Sequence, residues 1–186
     1  MGKQLTLILG GARSGKSAYA EAYGRQQGGA VLFVATAQAG DEEMKLRIAK
    51  HQQSRPNNWI TIETPTRVGQ AIRAAPVTPL VLVDCMTLLA SNLLLSLSEP
   101  QQESEYRRAL EEELEELLAA YRAHPGEWLI VSNEVGMGLV PAYPLGRLFR
   151  DGLGWLNQRL AAQADRVLLL VAGIPLVVKG VWGGKH

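Results

Sequence analysis

The sequence has little cysteine and little net charge, and it has no long apolar run. Cys85 is the only cysteine, which excludes an internal disulfide and a zinc site built from several cysteines. Nineteen basic and eighteen acidic residues leave a net charge of +1, which argues against a broad nucleic-acid-binding face, although a local patch stays possible. The apolar runs are strand-sized and too short to span a bilayer. Disulfide-scaffold, membrane, collagen-like and wholly disordered proteins are therefore excluded. We expect a cytoplasmic protein without stable membrane insertion and without a nucleic-acid partner.

What the sequence does contain is an alternation of short apolar runs with longer stretches of helical spacing. Such a pattern is typical of an α/β fold, with a mostly parallel sheet of six to seven strands and helices on both faces. A seventh run, residues 176–179, follows Gly173 and Pro175 so closely that we expect an antiparallel edge strand at the C-terminus. No repeat or linker divides the 186 residues, so a single catalytic domain over residues 1–186 is predicted. The six predicted parallel strands are residues 5–9, 30–35, 59–63, 80–84, 128–132 and 166–171.

The clearest predicted helix runs from about Pro100 to His124. Its apolar residues recur at helical spacing, Pro100 suits a first-turn position, and Pro125 with Gly126 ends it. The other face is acidic, and we interpret it as a solvated surface rather than a metal site. The acidic residues of this face are Glu111, Glu112, Glu113, Glu115 and Glu116.

Residues 10–17 match the phosphate-binding loop (P-loop) pattern G-x-x-x-x-G-K-[ST]. A buried strand precedes them and a predicted helix over residues 17–27 follows, which favours a nucleotide site over a chance glycine-rich turn. In such a loop Lys16 is expected to reach the β- and γ-phosphates, and the Ser17 hydroxyl to ligate Mg²⁺. Asp84, which ends an apolar run, is the candidate second residue for the Mg²⁺ shell. The residues of the P-loop are Gly10, Gly11, Ala12, Arg13, Ser14, Gly15, Lys16 and Ser17.

A histidine lies between two arginines in a second predicted helix, residues 41–55. Arg47, His51 and Arg55 recur every fourth residue and therefore share one face. The histidine could bind phosphate, act as a base or attack phosphorus, with the guanidinium groups pairing to a triphosphate. The spacing alone favours a simpler interpretation, a solvated helix face with an incidental histidine.

A glycine-containing apolar loop is predicted between Asn133 and Pro144. Loops at the ends of a sheet are usually polar, so we expect this loop either to pack on a ligand or another subunit, or to fold over its own core. The spacing leaves these alternatives open. Its apolar residues are Val135, Met137, Leu139, Val140 and Tyr143.

Four stretches of the chain carry a resemblance to one family. They are the P-loop; residues 47–59, which fit R-I-x-x-H-x-x-x-R-P-x-x-W; residues 133–141, which fit N-E-V-G-x-G-x-V-P; and the late segments around residues 149–165 and 172–175. Together they resemble the bifunctional adenosylcobinamide kinase/adenosylcobinamide-phosphate guanylyltransferases of cobalamin biosynthesis. The resemblance covers nearly the whole chain, and the second and third motifs are specific to the family.

The resemblance implies a RecA-like P-loop NTPase fold, a homotrimer and two reactions. The first phosphorylates adenosylcobinamide, a corrinoid, with ATP or GTP and Mg²⁺. The second transfers GMP from GTP to adenosylcobinamide phosphate and releases pyrophosphate. Within the family, the residue matching His51 accepts GMP as a phosphoramidate, which replaces the interpretation of an incidental histidine. The resemblance implies that His51 and Lys16 are catalytic residues and that Ser17 and Asp84 bind the metal. The positions it assigns to GTP are residues 10–17 together with Ala35, Thr36, Ala37, Gln52, Gln53, Ser54, Arg55, Glu63 and Asp84.

Three other functions are compatible with the residues themselves. The chain could be a P-loop kinase for another small molecule, with no covalent step. It could be a RecA-like ATPase that acts on nucleic acid, although the balance of charge argues against this. A nucleotide-binding regulator would need neither Asp84 nor His51. The sequence does not identify the general base of the kinase step, the preferred phosphate donor or the corrinoid pocket.

Overall fold

The computed structural model describes residues 2–37 and 56–181. These residues form a seven-stranded sheet in the order β3-β2-β4-β5-β1-β6-β7. Strands β1 to β6 are parallel to one another, and β7 runs antiparallel to β6 at the edge. The strands are β1 (Leu5–Gly10), β2 (Val31–Ala35), β3 (Trp59–Glu63), β4 (Leu80–Asp84), β5 (Glu127–Val131), β6 (Arg166–Val171) and β7 (Ile174–Lys179).

The helices of the described residues cover the two faces of the sheet unequally. Because successive side chains of a strand point to opposite faces, Leu7 enters one apolar core and Ile8 the other. The larger core packs against four helices, whereas the smaller one packs against α1 through Ala20. No helix of the described residues is long and apolar enough to cross a membrane. The helices are α1 (Lys16–Gln27), α2 (Val68–Ala74), α3 (Met86–Ser96), α4 (Glu103–Ala123) and α5 (Pro144–Gln163).

The predicted architecture is confirmed, with shifts at a few boundaries. All six parallel strands are present, helices pack on both faces, and the seventh strand is antiparallel, although it begins two residues earlier than predicted, at Ile174. The long helix begins at Glu103 rather than Pro100, because residues 97–102 are needed to turn the chain from α3 to α4 within one core. The predicted apolar loop ends where α5 begins, and Pro144 occupies the first turn of that helix.

The acidic face of α4 includes one residue that is not solvated. Glu113 is 8% exposed, and its carboxylate accepts hydrogen bonds from the backbone N–H groups of Arg67 (2.8 Å) and Val68 (2.7 Å). It therefore caps α2, whose first N–H groups have no partner within the helix. The prediction of a solvated surface is wrong for Glu113. The other four glutamates are exposed and pair with arginines: Glu111 with Arg107, Glu112 with Arg108, Glu115 with Arg122 and Glu116 with Arg73.

Candidate functional site

The carboxyl ends of the six parallel strands lie along one edge of the sheet. In the register, Ala35 at the end of β2 stands opposite both Glu63 and Asp84, and Asp84 stands opposite Val131. Because β5 separates β4 from β1, Asp84 lies about 10 Å from the strand that leads into the P-loop. The strand order thus brings the predicted P-loop, Asp84 and Glu63 to the same edge.

The P-loop connects β1 directly to α1. Gly10 and Gly15 have φ angles of +155° and +94°, which residues with a side chain rarely adopt, and a Cβ at Gly10 would lie 2.6 Å from the carbonyl oxygen of Leu170. No described side chain caps α1, and the first helical hydrogen bond runs from the N–H of Tyr19 to the carbonyl of Gly15 (2.9 Å). The N–H groups of the first turn therefore face outward as a site for an anion.

Lys16 is buried within this loop. Its Nζ donates to the carbonyl of Gly11 (2.6 Å) and to Oγ of Ser14 (3.4 Å). Burial lowers the pKa of Lys16, and the nearby Cys85 and Asp84 act in the opposite direction. The ammonium group is thus held inside the loop, within electrostatic reach of the end of β4, where it can meet phosphate oxygens that enter the loop.

Thr36 joins the ends of β2 and β4. Its hydroxyl donates to the carbonyl of Cys85 (2.7 Å) and accepts from the Cys85 N–H (2.8 Å), while its own N–H donates to the carbonyl of Asp84 (3.1 Å). The side chain of Thr36 is fully buried, Ala35 is also buried, and Ala37 is half-buried. These bonds position Asp84, and burial together with Asp84 raises the pKa of the Cys85 thiol.

Asn133 and Glu134 lie at the same edge. From the sequence they belonged to the apolar loop and to the family motif of residues 133–141, but neither was assigned to the site. The Asn133 N–H donates to Oγ1 of Thr87 (2.8 Å), and its carbonyl accepts from Nδ2 of Asn157 (2.9 Å). The Glu134 N–H donates to the carbonyl of Gly10 (2.9 Å). Two signals were available, since this segment follows a buried strand and carries the family motif of residues 133–141. Its position between the P-loop and Asp84 depends on the strand order.

The remaining predicted site residues are only partly described. Ser17 is half-buried in the first turn of α1, and Glu63 is exposed at the end of β3. Among residues 2–37 and 56–181, no group of three or more histidine, cysteine, aspartate or glutamate side chains forms a metal cage. Mg²⁺ commonly needs only one or two protein ligands besides phosphates and water, so the assignment of Ser17 and Asp84 does not require such a cage and stays a prediction. The predicted residues His51, Gln52, Gln53, Ser54 and Arg55, and the predicted helix over residues 41–55, lie outside the described residues.

Comparisons with known proteins agree over most of the chain. The family model described as cobinamide kinase / cobinamide phosphate guanyltransferase (CobU) matches residues 6–178. The chain is 47% identical over 175 residues to the bifunctional adenosylcobalamin biosynthesis protein CobP of Pseudomonas aeruginosa, with 94% of this chain and 96% of that protein covered. It is 42% identical over 182 residues to the bifunctional protein CobU of Salmonella typhimurium, with 94% and 99% covered. A solved structure, that of the RadB recombinase, is similar at 17% identity and a TM-score of 0.47, with 90% of this chain and 74% of that chain covered.

Proposed function

The chain belongs to the cobinamide kinase / cobinamide phosphate guanyltransferase family, and we propose that residues 1–186 act as a single catalytic domain for both reactions. It is a bifunctional enzyme of adenosylcobalamin biosynthesis. One observation carries the assignment: the family match over residues 6–178 contains both the P-loop and the motif around His51. The finer chemistry that follows rests on the P-loop geometry and on the positions of the family motifs.

The first reaction is phosphorylation of adenosylcobinamide by ATP or GTP. The substrate hydroxyl oxygen attacks the γ-phosphorus, loses its proton, and displaces ADP or GDP. Lys16 and the open N–H groups of the first turn of α1 bind the phosphate oxygens and stabilise the charge that develops on them. Mg²⁺ held by Ser17 and Asp84 would neutralise phosphate charge and orient the triphosphate.

The second reaction transfers GMP through His51. A ring nitrogen of His51 attacks the α-phosphorus of GTP, which forms a P–N bond and releases pyrophosphate. A phosphate oxygen of adenosylcobinamide phosphate then attacks the same phosphorus, the P–N bond breaks, and adenosylcobinamide-GDP leaves a free histidine. We assign the guanine-nucleotide contacts outside the P-loop to residues 35–37, residues 52–55 and Glu63. Within them, Thr36 acts by holding the ends of β2 and β4 together.

Incubation with GTP labelled at the α-phosphate tests the covalent step. The wild-type protein should retain label that is labile in acid and stable in alkali, as a phosphoramidate is. His51→Asn should abolish both the adduct and guanylyl transfer, because asparagine has no nucleophilic ring nitrogen. Phosphorylation of adenosylcobinamide from γ-labelled ATP should continue, since that step has no covalent intermediate.

Lys50→Ala is the matched control for this experiment, because it changes the neighbouring side chain. We expect it to keep the adduct, since a protonated lysine amine is a poor nucleophile. Retained transfer in His51→Asn would instead indicate Lys50 or direct displacement. Loss of both reactions in a folded His51→Asn protein would mean that His51 binds the triphosphate rather than forming the adduct.

A further inference from the structure

The turn between β6 and β7 touches the P-loop. Val171 and Ile174 are paired across the two strands, so Ala172 and Gly173 alone make the turn, with φ angles of +52° and +83°. Two consecutive positive φ angles are typical of the tight turns that join antiparallel strands. The N–H of Gly173 points out of this hairpin turn and donates to the carbonyl of Ser14 in the P-loop (2.9 Å).

The two segments also fit each other in shape. A Cβ on Gly15 would lie 3.2 Å from the Cα of Gly173, which is closer than ordinary van der Waals contact. At the other end of the P-loop, Gly10 pairs with Leu170 of β6, and a Cβ there would lie 2.6 Å from the Leu170 carbonyl oxygen. Strand β6 and the hairpin turn therefore contact the P-loop on both sides of its bend.

This contact sets the direction of a phosphate-facing group. The peptide bond between Ser14 and Gly15 is trans, so its C=O and N–H point in opposite directions. Since Gly173 holds the Ser14 carbonyl toward the hairpin turn, the Gly15 N–H points away from it. In a P-loop that N–H belongs to the set that faces phosphate.

We infer that the hairpin turn of residues 172–173 is a positioning element of the nucleotide site: the Gly173 N–H orients the Ser14–Gly15 peptide for phosphate binding. The inference rests on the proposed function, because it presumes that the P-loop takes a nucleoside triphosphate. The Ser14–Gly15 peptide faces the phosphates of the nucleotide rather than its purine base. Loss of the contact should therefore weaken the binding of Mg²⁺-GTP and of Mg²⁺-ATP by the same factor.

Replacement of Gly173 by glycolic acid tests this, because the resulting ester lacks the N–H donor. The ester carbonyl is also a weaker acceptor than an amide carbonyl, and a control ester elsewhere in the chain reproduces that second change. Gly28 is the matched control, because it has a φ of +68° and an N–H that donates to the carbonyl of Arg25 (3.2 Å) at the far end of α1. A Cβ on Gly28 would have no atom of the described residues within 4 Å. Dissociation constants for Mg²⁺-GTP and Mg²⁺-ATP should rise about 5- to 10-fold in the Gly173 ester, as expected for one hydrogen bond. The Gly28 ester should bind both as the wild type does.

Three results would contradict the inference. The Gly173 ester could bind like the wild type, both esters could weaken binding equally, or the loss could affect only one nucleotide. A wild-type protein that binds neither nucleotide would contradict the proposed function itself. Should the Gly173 ester not fold, Gly173→Asn and Gly173→Ala can be compared with Gly28→Ala. Asparagine tolerates a positive φ better than alanine, so it should bind nucleotide more tightly than the alanine variant.

Discussion

Lys16 places a buried positive charge in the P-loop, which we propose serves both reactions. We expect Lys16→Ala to reduce the kinase and the guanylyltransferase rates by about 10²-fold each, because the same charge stabilises both transferring groups. Phosphoryl transfer from γ-labelled ATP and guanylyl transfer from α-labelled GTP measure the two rates separately. Lys3→Ala is the control, since Lys3 Nζ also donates to a backbone carbonyl, that of Arg122 (2.6 Å), but outside the loop. Loss of only one activity would reveal a second nucleotide site.

His124 shows how a buried side chain makes stability depend on pH. Its Nδ1 accepts a hydrogen bond from the N–H of Gly126 (3.0 Å), and its Nε2 has no hydrogen-bond partner among the described residues. Burial, assisted by the positive charge of Lys3, lowers its pKa. The folded protein therefore takes up this proton less readily than the unfolded chain, whose histidine has a pKa of about 6.5.

The sign of the pH effect follows from that lowered pKa. The contribution of the neutral His124 to the free energy of unfolding is fully present above a pH of about 6.5. The free energy of unfolding should fall as the pH drops below this value. Urea denaturation at pH 7.5 and 5.5 measures the change, and His124→Asn should show a smaller decrease than the wild type. An identical decrease in both proteins would exclude His124 as its source.

At the scale of elements, a side chain of α4 secures the start of α2. Glu113→Ala removes the acceptor for two backbone N–H groups and should lower the free energy of unfolding by about 1–3 kcal/mol. Glu112→Ala is the matched control on the preceding residue, whose side chain is 73% exposed, and its effect should stay within about 0.5 kcal/mol. Urea denaturation of both variants checks this, and equal effects would mean that Glu113 does not cap α2.

The grouping of site residues at the carboxyl ends of the strands also depends on whole elements. Sequence patterns predict which runs are strands, but they do not predict how the strands are ordered. The structure shows that β5 lies between β1 and β4. That order brings Glu134 to the P-loop, where its N–H donates to the carbonyl of Gly10. It also leaves β7 as the last strand of the sheet, with the hairpin turn before it against Ser14. Pairing partners lie far apart along the chain, so local periodicity does not determine them.

On the scale of the whole molecule, the described surface carries exposed apolar side chains that suit an assembly. In the loop after β5, Met137 is 81% exposed and Leu139 is 97% exposed. Because burial of such a surface is favourable, we predict a homotrimer with active sites near its subunit boundaries. Leu139→Asp should shift light scattering toward the monomer, whereas Leu95→Asp, at a lone exposed position on α3, should not. A monomeric wild-type protein at micromolar concentration would contradict the prediction.

The sequence by itself determined the parts of this protein that depend on local patterns. Continuous apolar runs are enough to identify buried parallel strands, and the glycines and lysine of residues 10–17 are enough to identify a P-loop, because its backbone needs those residue types at those spacings. Asp84 could be selected because it ends one of these runs. The motif around His51 was likewise evident from its residues alone, and its role stays a prediction.

Only the tertiary structure decided which of these segments meet. Glu113 shares the acidic face of α4 in sequence, yet it is buried because α2 begins against it, and no helical spacing contains that information. Glu134 and Gly173 reach the P-loop through strands that pair across more than 100 residues of the chain. The periodicity of the sequence predicts that a side chain is buried. Which residues it packs against depends on long-range contacts that periodicity does not contain.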